Sequence, residues 1–337
     1  MTSAQPPHPV LEVLDLRIGF PQNVAVQGIS FAIEEGKTMA LVGESGCGKS
    51  LTAFSILRLL PPTASIIGGQ VVFDGLDLAT LSPRALRRIR GKAISIILQE
   101  PMTTLNPVLS IGAQIREIIL RHENLSRRKA RERVIELLDL VGIAEPARRY
   151  DQFPHHFSGG MRQRVMIAMA VACNPRLLIA DEPTTALDVT IQAQVMDLLD
   201  RLRRQLSMAM LLITHDLGAV AQWADRIAVM YAGRIVEQAA VSEFFSGPKH
   251  PYSRGLLNAS VGDTAHYTSQ RLNEIPGSVS SATGETGCSF APRCPLAAAD
   301  CKIAPPTLQT IGPGSLGTGW SVACSQLRAS SFLPVEA

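Results

Sequence analysis

At 337 residues, with 46% hydrophobic and 18% charged side chains, the chain has the balance of a folded globular protein rather than a disordered or collagen-like one. A formal net charge of +3 is too mild to argue for nucleic acid or an anionic membrane surface. No apolar run approaches the roughly 20 residues that cross a bilayer, and no basic segment precedes an apolar one at the N-terminus. The expectation is a cytoplasmic chain that reaches any membrane through a partner.

In chain order, residues 11–41 read as strands: alternating apolar positions in LEVLDLRI, then VAVQGISFAI, a Glu-Glu-Gly turn and TMALVG. A glycine-rich loop follows. After it, LTAFSILRLL has helical spacing and is expected to stop at Pro61-Pro62. Ile94–Leu98 reads as a short buried strand. From Ser126 to Leu140 a charged amphipathic helix is expected, with Ser126 as N-cap. Its arginines interleave with Glu132, Glu136 and Asp139, which favours a solvated face over a nucleic-acid patch. LLIADEP, AMLLITHD and DRIAVMYAGRIVEQ are further strand-and-turn units. The alternation of strands and helices points to an α/β fold with a mostly parallel core. The pattern stops near His250-Pro251, and residues 260–287, rich in Ser, Thr and Gly, read as a linker.

Three segments carry chemistry. GESGCGKS, from Gly43 to Ser50, follows a buried strand and opens a helix. In that setting glycines let the backbone amides curl around a phosphate, and the helix N-terminus adds its dipole. Lys49 can reach the β- and γ-phosphates, and the Ser50 hydroxyl can ligate Mg²⁺. In LLIADEP an apolar strand ends in Asp181, a candidate Mg²⁺ ligand acting through water. Glu182 follows, placed to orient and deprotonate an attacking water. In FSGGMRQR, the Ser158-Gly159-Gly160 run opens the apolar helix VMIAMAVA and offers a second anion-binding surface about twenty residues before the Asp-Glu pair.

With these segments in this order, the chain resembles the nucleotide-binding subunits of ABC transporters over roughly Leu11–Leu257. The resemblance implies a P-loop ABC-type domain with a RecA-like core, an antiparallel β subdomain and a helical signature subdomain. A small cysteine-containing C-terminal extension would follow it. ATP and Mg²⁺ are the implied ligands. Gly43, Glu44, Ser45, Gly46, Cys47, Gly48, Lys49, Ser50 and Leu51 would hold the phosphates, and Phe20 would stack on adenine. Gln99 in ILQEP matches the glutamine that senses Mg²⁺ and the attacking water, so the implied Mg²⁺ set is Ser50, Gln99 and Asp181. Ser158, Gly159 and Gly160 match the signature, with Phe157 and Met161 replacing its usual flanking Leu and Gln. Asp188 matches the loop communicating between two subunits, and His215 matches the switch histidine that contacts the γ-phosphate. Glu182, His215 and Gln99 form the implied catalytic set.

GESGCGKS, QEPMTTLNP, FSGGMRQRVMIAMA and KHPYSRGLL resemble more narrowly the ATPases of oligopeptide and dipeptide importers, a group that includes nickel-uptake relatives. Cys47 departs from that group, where serine is common, and raises the expectation of sensitivity to thiol reagents. The resemblance divides the chain into an ATPase domain, 1–257, and an extension, 258–337. It implies two ATPase subunits packed head to tail, a heterodimer foremost and a homodimer second. Two permeases contacted through Glu100–Pro107, a substrate-binding protein, and a place at the cytoplasmic face of the inner membrane complete the implied assembly. A soluble ABC ATPase acting in DNA repair, chromosome structure or translation is the rival reading; the transporter reading expects no nucleic-acid partner.

Of six cysteines, Cys288, Cys294, Cys301 and Cys324 fall within the last fifty residues. Four thiolates suit a [4Fe–4S] cluster or Zn²⁺. The absence of a C-x-x-C pair weakens the zinc reading, and four reduced thiols in a loop-rich tail is the third possibility. GCSFAPRCPLAAADC resembles the extension of the peptide importers and favours the cluster.

Overall fold

The computed structural model describes residues 9–99, 104–185, 187–261, 275–277, 286–311 and 319–327. The linker read over 260–287 lies largely outside them, as does the first half of the Glu100–Pro107 segment. The chain divides into two compact units.

One unit comprises Met1–Val10, Glu34–Lys37 and Thr80–Leu212. Its strands are β6 (Ile94–Ile97), β7 (Leu177–Asp181) and β8 (Ala209–Ile213). They lie in the order β8-β7-β6, with β6 and β7 parallel from Ile94↔Leu177 to Ile97↔Ala180. Every residue of β7 and β8 is buried, which explains their unbroken apolar runs: a strand covered on both faces has no polar alternation. The longer helices that accompany them are Ile111–His122, Arg127–Leu140, Gly159–Val171 and Val189–Leu206. The first three are capped by Ser110, Ser126 and Ser158, each accepting a backbone N–H three residues on. Arg127–Leu140 buries Ala130, Val134, Leu137 and Leu138 on one stripe. On the other face Arg133 pairs with Glu136 at 3.1 Å and Arg128 with Glu132 at 3.7 Å, the solvated, locally paired surface the interleaved charges predict.

The other unit comprises Leu11–Ile33, Thr38–Ala79 and Ile213–Ala337. It holds a four-stranded antiparallel sheet, ordered β2-β1-β4-β5, from β1 (Leu11–Phe20), β2 (Asn23–Ile33), β4 (Ser65–Phe73) and β5 (Leu76–Asp77). A second sheet runs β11-β12-β10-β9-β3, from β3 (Thr38–Val42), β9 (Arg226–Tyr231), β10 (Arg234–Ala240), β11 (Gln309–Ile311) and β12 (Trp320–Val322). β3 is parallel to β9, and the remaining pairs are antiparallel. Ala232 and Gly233 both take positive φ (45° and 79°), the requirement of the tight turn that closes the β9–β10 hairpin.

Two boundaries differ from the sequence expectation. The helix after the glycine-rich loop spans Lys49–Ile56 and ends before Pro61-Pro62. Arg58 adopts φ 51°, and the Leu59 N–H turns back to the Phe54 carbonyl at 2.7 Å, so a left-handed C-terminal cap stops it first. The regular pattern also continues past His250: Pro251–Val261 is a helix, with Pro251 at its first position, where a missing N–H costs nothing.

Candidate functional site

The loop from Gly43 to Ser50 joins β3 to the helix Lys49–Ile56. Gly43 and Gly48 take φ 150° and 108°. A Cβ on Gly43 would lie 2.1 Å from the Met230 carbonyl oxygen, and one on Gly48 would lie 2.8 Å from Met230 Cε. The loop therefore lies directly against β9, and glycine is required at both positions. The hairpin turn braces it further, since the Gly233 N–H donates to the Cys47 carbonyl at 3.0 Å. The Lys49 ammonium, 6% exposed, donates to the carbonyls of Gly43 at 2.8 Å and Glu44 at 3.0 Å. It arches over the loop, positioned for a phosphate bound there, while Ser45 and Gly46 face solvent. Phe20 is half-buried at the end of β1, and His215 is exposed directly after β8. Asp216 caps the helix Leu217–Trp223, accepting the Ala219 N–H at 3.1 Å.

Cys47 is fully buried. Burial pushes its thiol above the ordinary range, opposed by Lys49, whose Nζ lies 3.9 Å from its Sγ. A buried, protonated thiol is a poor nucleophile, so the expected sensitivity to thiol reagents is reversed.

In the other unit, β7 delivers Asp181, 4% exposed, and then Glu182. Glu182 sits at φ 47°, an uncommon conformation for a side-chain-bearing residue that turns it off the strand end. Its Oε2 accepts from Gln99 Nε2 at 2.9 Å and from Thr185 Oγ1 at 2.8 Å. The structure thus brings together two predicted residues, Gln99 and Glu182, and adds Thr185. It also adds Gln163, 1% exposed, whose Nε2 donates to the Pro183 carbonyl at 2.6 Å. Gln163 ties the helix opened by Ser158 to the backbone beside Glu182. Gln163 stands between Arg162 and Arg164, so the sequence holds no local signal for it; once buried, its amide needs a partner.

Ser158 is exposed, and its Oγ accepts the Met161 N–H at 3.4 Å, so it acts as the N-cap of Gly159–Val171. Gly159 and Gly160 occupy the first turn, where backbone donors point out of the helix end. Asp188 is exposed and precedes the helix Val189–Leu206 as its N-cap residue.

The four cysteines depart from expectation. Cys288, Cys294, Cys301 and Cys324 are all free thiols, and the Cys288 N–H donates to the Cys301 carbonyl at 2.7 Å. Burial raises the thiols of Cys288, Cys324 and Cys294, the last to about 11, and neighbouring cysteines add to each shift. Among the described residues, however, no three His, Cys, Asp or Glu side chains are arranged to hold a metal. Cys288 and Cys294 instead pack on an apolar cluster containing Tyr231, Tyr252 and Phe290. Protonated thiols behave there as small hydrophobic groups.

Residues 26–185 of the chain match the ABC transporter family, and residues 236–301 match the oligopeptide/dipeptide transporter C-terminal region. It is 51% identical to a probable peptide ABC transporter ATP-binding protein, y4tR, of Sinorhizobium fredii, over 92% of this chain and 94% of that one. It is likewise 51% identical to the oligopeptide transport ATP-binding protein OppD of Bacillus subtilis, over 80% of this chain and 76% of that one. Among solved structures, a dimeric ATP-binding cassette, MJ0796, in a post-hydrolysis state with ADP and phosphate, matches with a TM-score of 0.61 and 26% identity. That match covers 68% of this chain and 98% of the other. The cbiO1 component of an ABC transporter from Clostridium perfringens matches with a TM-score of 0.62 and 28% identity, over 71% and 91% of the two chains. The phosphate loop, the carboxylate strand end and these matches together establish that the chain belongs to the ABC transporter ATP-binding proteins, in the branch that carries the oligopeptide/dipeptide C-terminal region.

Proposed function

We propose that the chain is the ATP-hydrolysing subunit of a peptide importer. The observation that carries this reading is one ATPase chain holding both the Glu182–Gln99 pair and the C-terminal region matched to oligopeptide/dipeptide transporters. In this reading Lys49 and the amides of the Gly43–Ser50 loop bind the β- and γ-phosphates. Ser50, Gln99 and Asp181 offer oxygen donors of the kind Mg²⁺ prefers, and the ion would neutralise phosphate charge. Glu182 accepts the proton of the attacking water as its oxygen bonds the γ-phosphorus and the bond to ADP breaks, with Gln99 and Thr185 fixing the carboxylate. His215 contacts the γ-phosphate, and Phe20 stacks on the base.

Two ATPase chains are needed for a full site. ATP lies between the Gly43–Ser50 loop of one and the Ser158–Gly160 helix end of the second, contributed by a different ATPase chain in the leading arrangement. Asp188 communicates between the two chains. Binding closes the pair, hydrolysis opens it, and the cycle drives two permease subunits supplied by a substrate-binding protein. Among the described residues no helix is long and apolar enough to cross a membrane, so attachment at the cytoplasmic face of the inner membrane falls to the permeases.

The ATPase domain is taken as 1–257 and the extension as 258–337. A [4Fe–4S] cluster on Cys288, Cys294, Cys301 and Cys324, with zinc as the alternative, is supported by their thiol chemistry. Iron, sulfide and zinc analysis after anaerobic purification tests it. Glu182→Gln in the assembled transporter should retain ATP binding and lower turnover about a hundredfold or more. Unchanged turnover would remove Glu182 as the base. Stimulation of ATPase by nickel but not by peptides would move the reading to the nickel-uptake relatives.

A further inference from the structure

Arg293 lies in the extension, on the single turn Ala291–Arg293 beside Cys294. Its side chain is only 4% exposed. A guanidinium buried to that degree is strongly destabilising unless paired, and this one is paired extensively. Nη1 donates to both carboxylate oxygens of Glu44 at 3.0 Å and to Tyr231 Oη at 3.3 Å. Nε donates to the Pro276 carbonyl at 2.7 Å, and Nη2 to the Ile275 carbonyl at 3.1 Å.

Glu44 is the second residue of the phosphate loop and the only acid within GESGCGKS. All three of its polar groups are held. Its N–H donates to Tyr252 Oη at 3.0 Å, its carbonyl accepts from Lys49, and its carboxylate is gripped by Arg293. Tyr231, Tyr252 and Phe290 form a mutually packed aromatic cluster around this point, with ring centroids 4.7–5.4 Å apart. An unpaired carboxylate in this loop would repel an incoming triphosphate. The guanidinium offsets that charge and, with one nitrogen donating to both carboxylate oxygens, fixes the direction of the side chain, and with it the backbone from Gly43 to Ser45.

We propose that Arg293 is a positioning residue for ATP: through its pair with Glu44, the cysteine-containing extension holds the phosphate loop in its receptive shape and neutralises its one acidic side chain. This rests on reading the Gly43–Ser50 loop as the phosphate cradle, which Lys49→Ala tests separately.

The test uses the full chain in the assembled transporter, with KM for ATP, kcat and thermal stability measured together. Arg293→Gln keeps one amide donor near the position of Nε, toward the Pro276 carbonyl, but removes the charge. It should raise KM about tenfold, the scale of one lost charge-assisted contact, and leave kcat within about twofold. The defect should shrink as ionic strength rises, and adding Glu44→Gln should restore most of the affinity, since no carboxylate is left to repel. Arg293→Lys, which keeps the charge but not the fork, should raise KM only about threefold. An unchanged KM in Arg293→Gln overturns the proposal, and so does a defect that neither salt nor Glu44→Gln relieves. Should Arg293→Gln not fold, a wild-type KM in Arg293→Lys overturns the positioning role. Normal ATP binding by Lys49→Ala removes the loop reading instead.

Discussion

The phosphate loop and the cysteine-containing extension belong to one unit, and they are held by opposite means. Within the loop most contacts are short in sequence: Lys49 reaches back to Gly43 and Glu44, and the Thr52 N–H returns to Gly48. Among its described residues after Val261, the extension has one-turn helices and three-residue strands. Its fixed points are side chains reaching far along the chain. Trp320 Nε1 donates to Glu237, 83 residues away, and Arg293 reaches Glu44 across 249. A locally built segment fails by losing its geometry at a point. A segment built from distant anchors fails by coming away from the fold.

The largest expected effect lies in the loop. Gly43→Ala forces a Cβ onto the Met230 carbonyl at a φ that L-residues rarely adopt. ATP binding should be lost, at a stability cost of roughly 1–3 kcal/mol; nucleotide titration and thermal melts read the two separately, and retained binding would break the contrast. In the extension the order should reverse. Trp320→Phe removes one hydrogen bond to the buried Glu237 carboxylate and should lower stability by about 1–3 kcal/mol with ATPase activity preserved. Denaturant unfolding checks the first part, and a steady-state assay the second.

Acid should loosen the same anchors. His250 is fully buried and accepts the Tyr252 N–H at Nδ1, and burial holds its imidazole at about 3 against the ordinary 6.5. The unfolded chain takes up this proton below about pH 6.5 while the folded chain does not until near pH 3, so stability falls with pH across that window. Between pH 7 and pH 5 the loss from this group should be about 2 kcal/mol. Glu237, whose carboxyl is raised by burial, favours the fold on acidification and opposes it in part. His250→Asn should flatten the slope, and an unaltered slope would exclude His250 as its source. The smallest effect concerns Cys47. Alkylation at pH 8 should modify the half-buried Cys288 and Cys324 before Cys47, as peptide mapping over time would show.

Much of the site was legible because its chemistry is local. GESGCGKS specifies a backbone shape through its glycines, and a strand ending in Asp181-Glu182 places two carboxylates whatever surrounds it. Serine caps and the Ala232-Gly233 turn are equally short-range, and they appear where the residue types require them. The helix after the loop was overestimated because its spacing continues past Arg58, whereas the cap that ends it depends on one residue's left-handed backbone.

By itself the sequence determined the phosphate loop, the carboxylate strand end, the apolar helix opened by Ser158-Gly159-Gly160 and the alternation of strands and helices. Each follows from residues within a few positions of one another, where propensity, capping and backbone freedom act directly. Tertiary structure alone decided the rest. It placed Gln99 on Glu182 across 83 residues, tucked Cys288 and Cys294 into apolar packing, and buried the Cys47 thiol. It also set Arg293 against Glu44. Burial, charge pairing and thiol protonation depend on which distant groups exclude water from a side chain, and no short window of sequence contains that information.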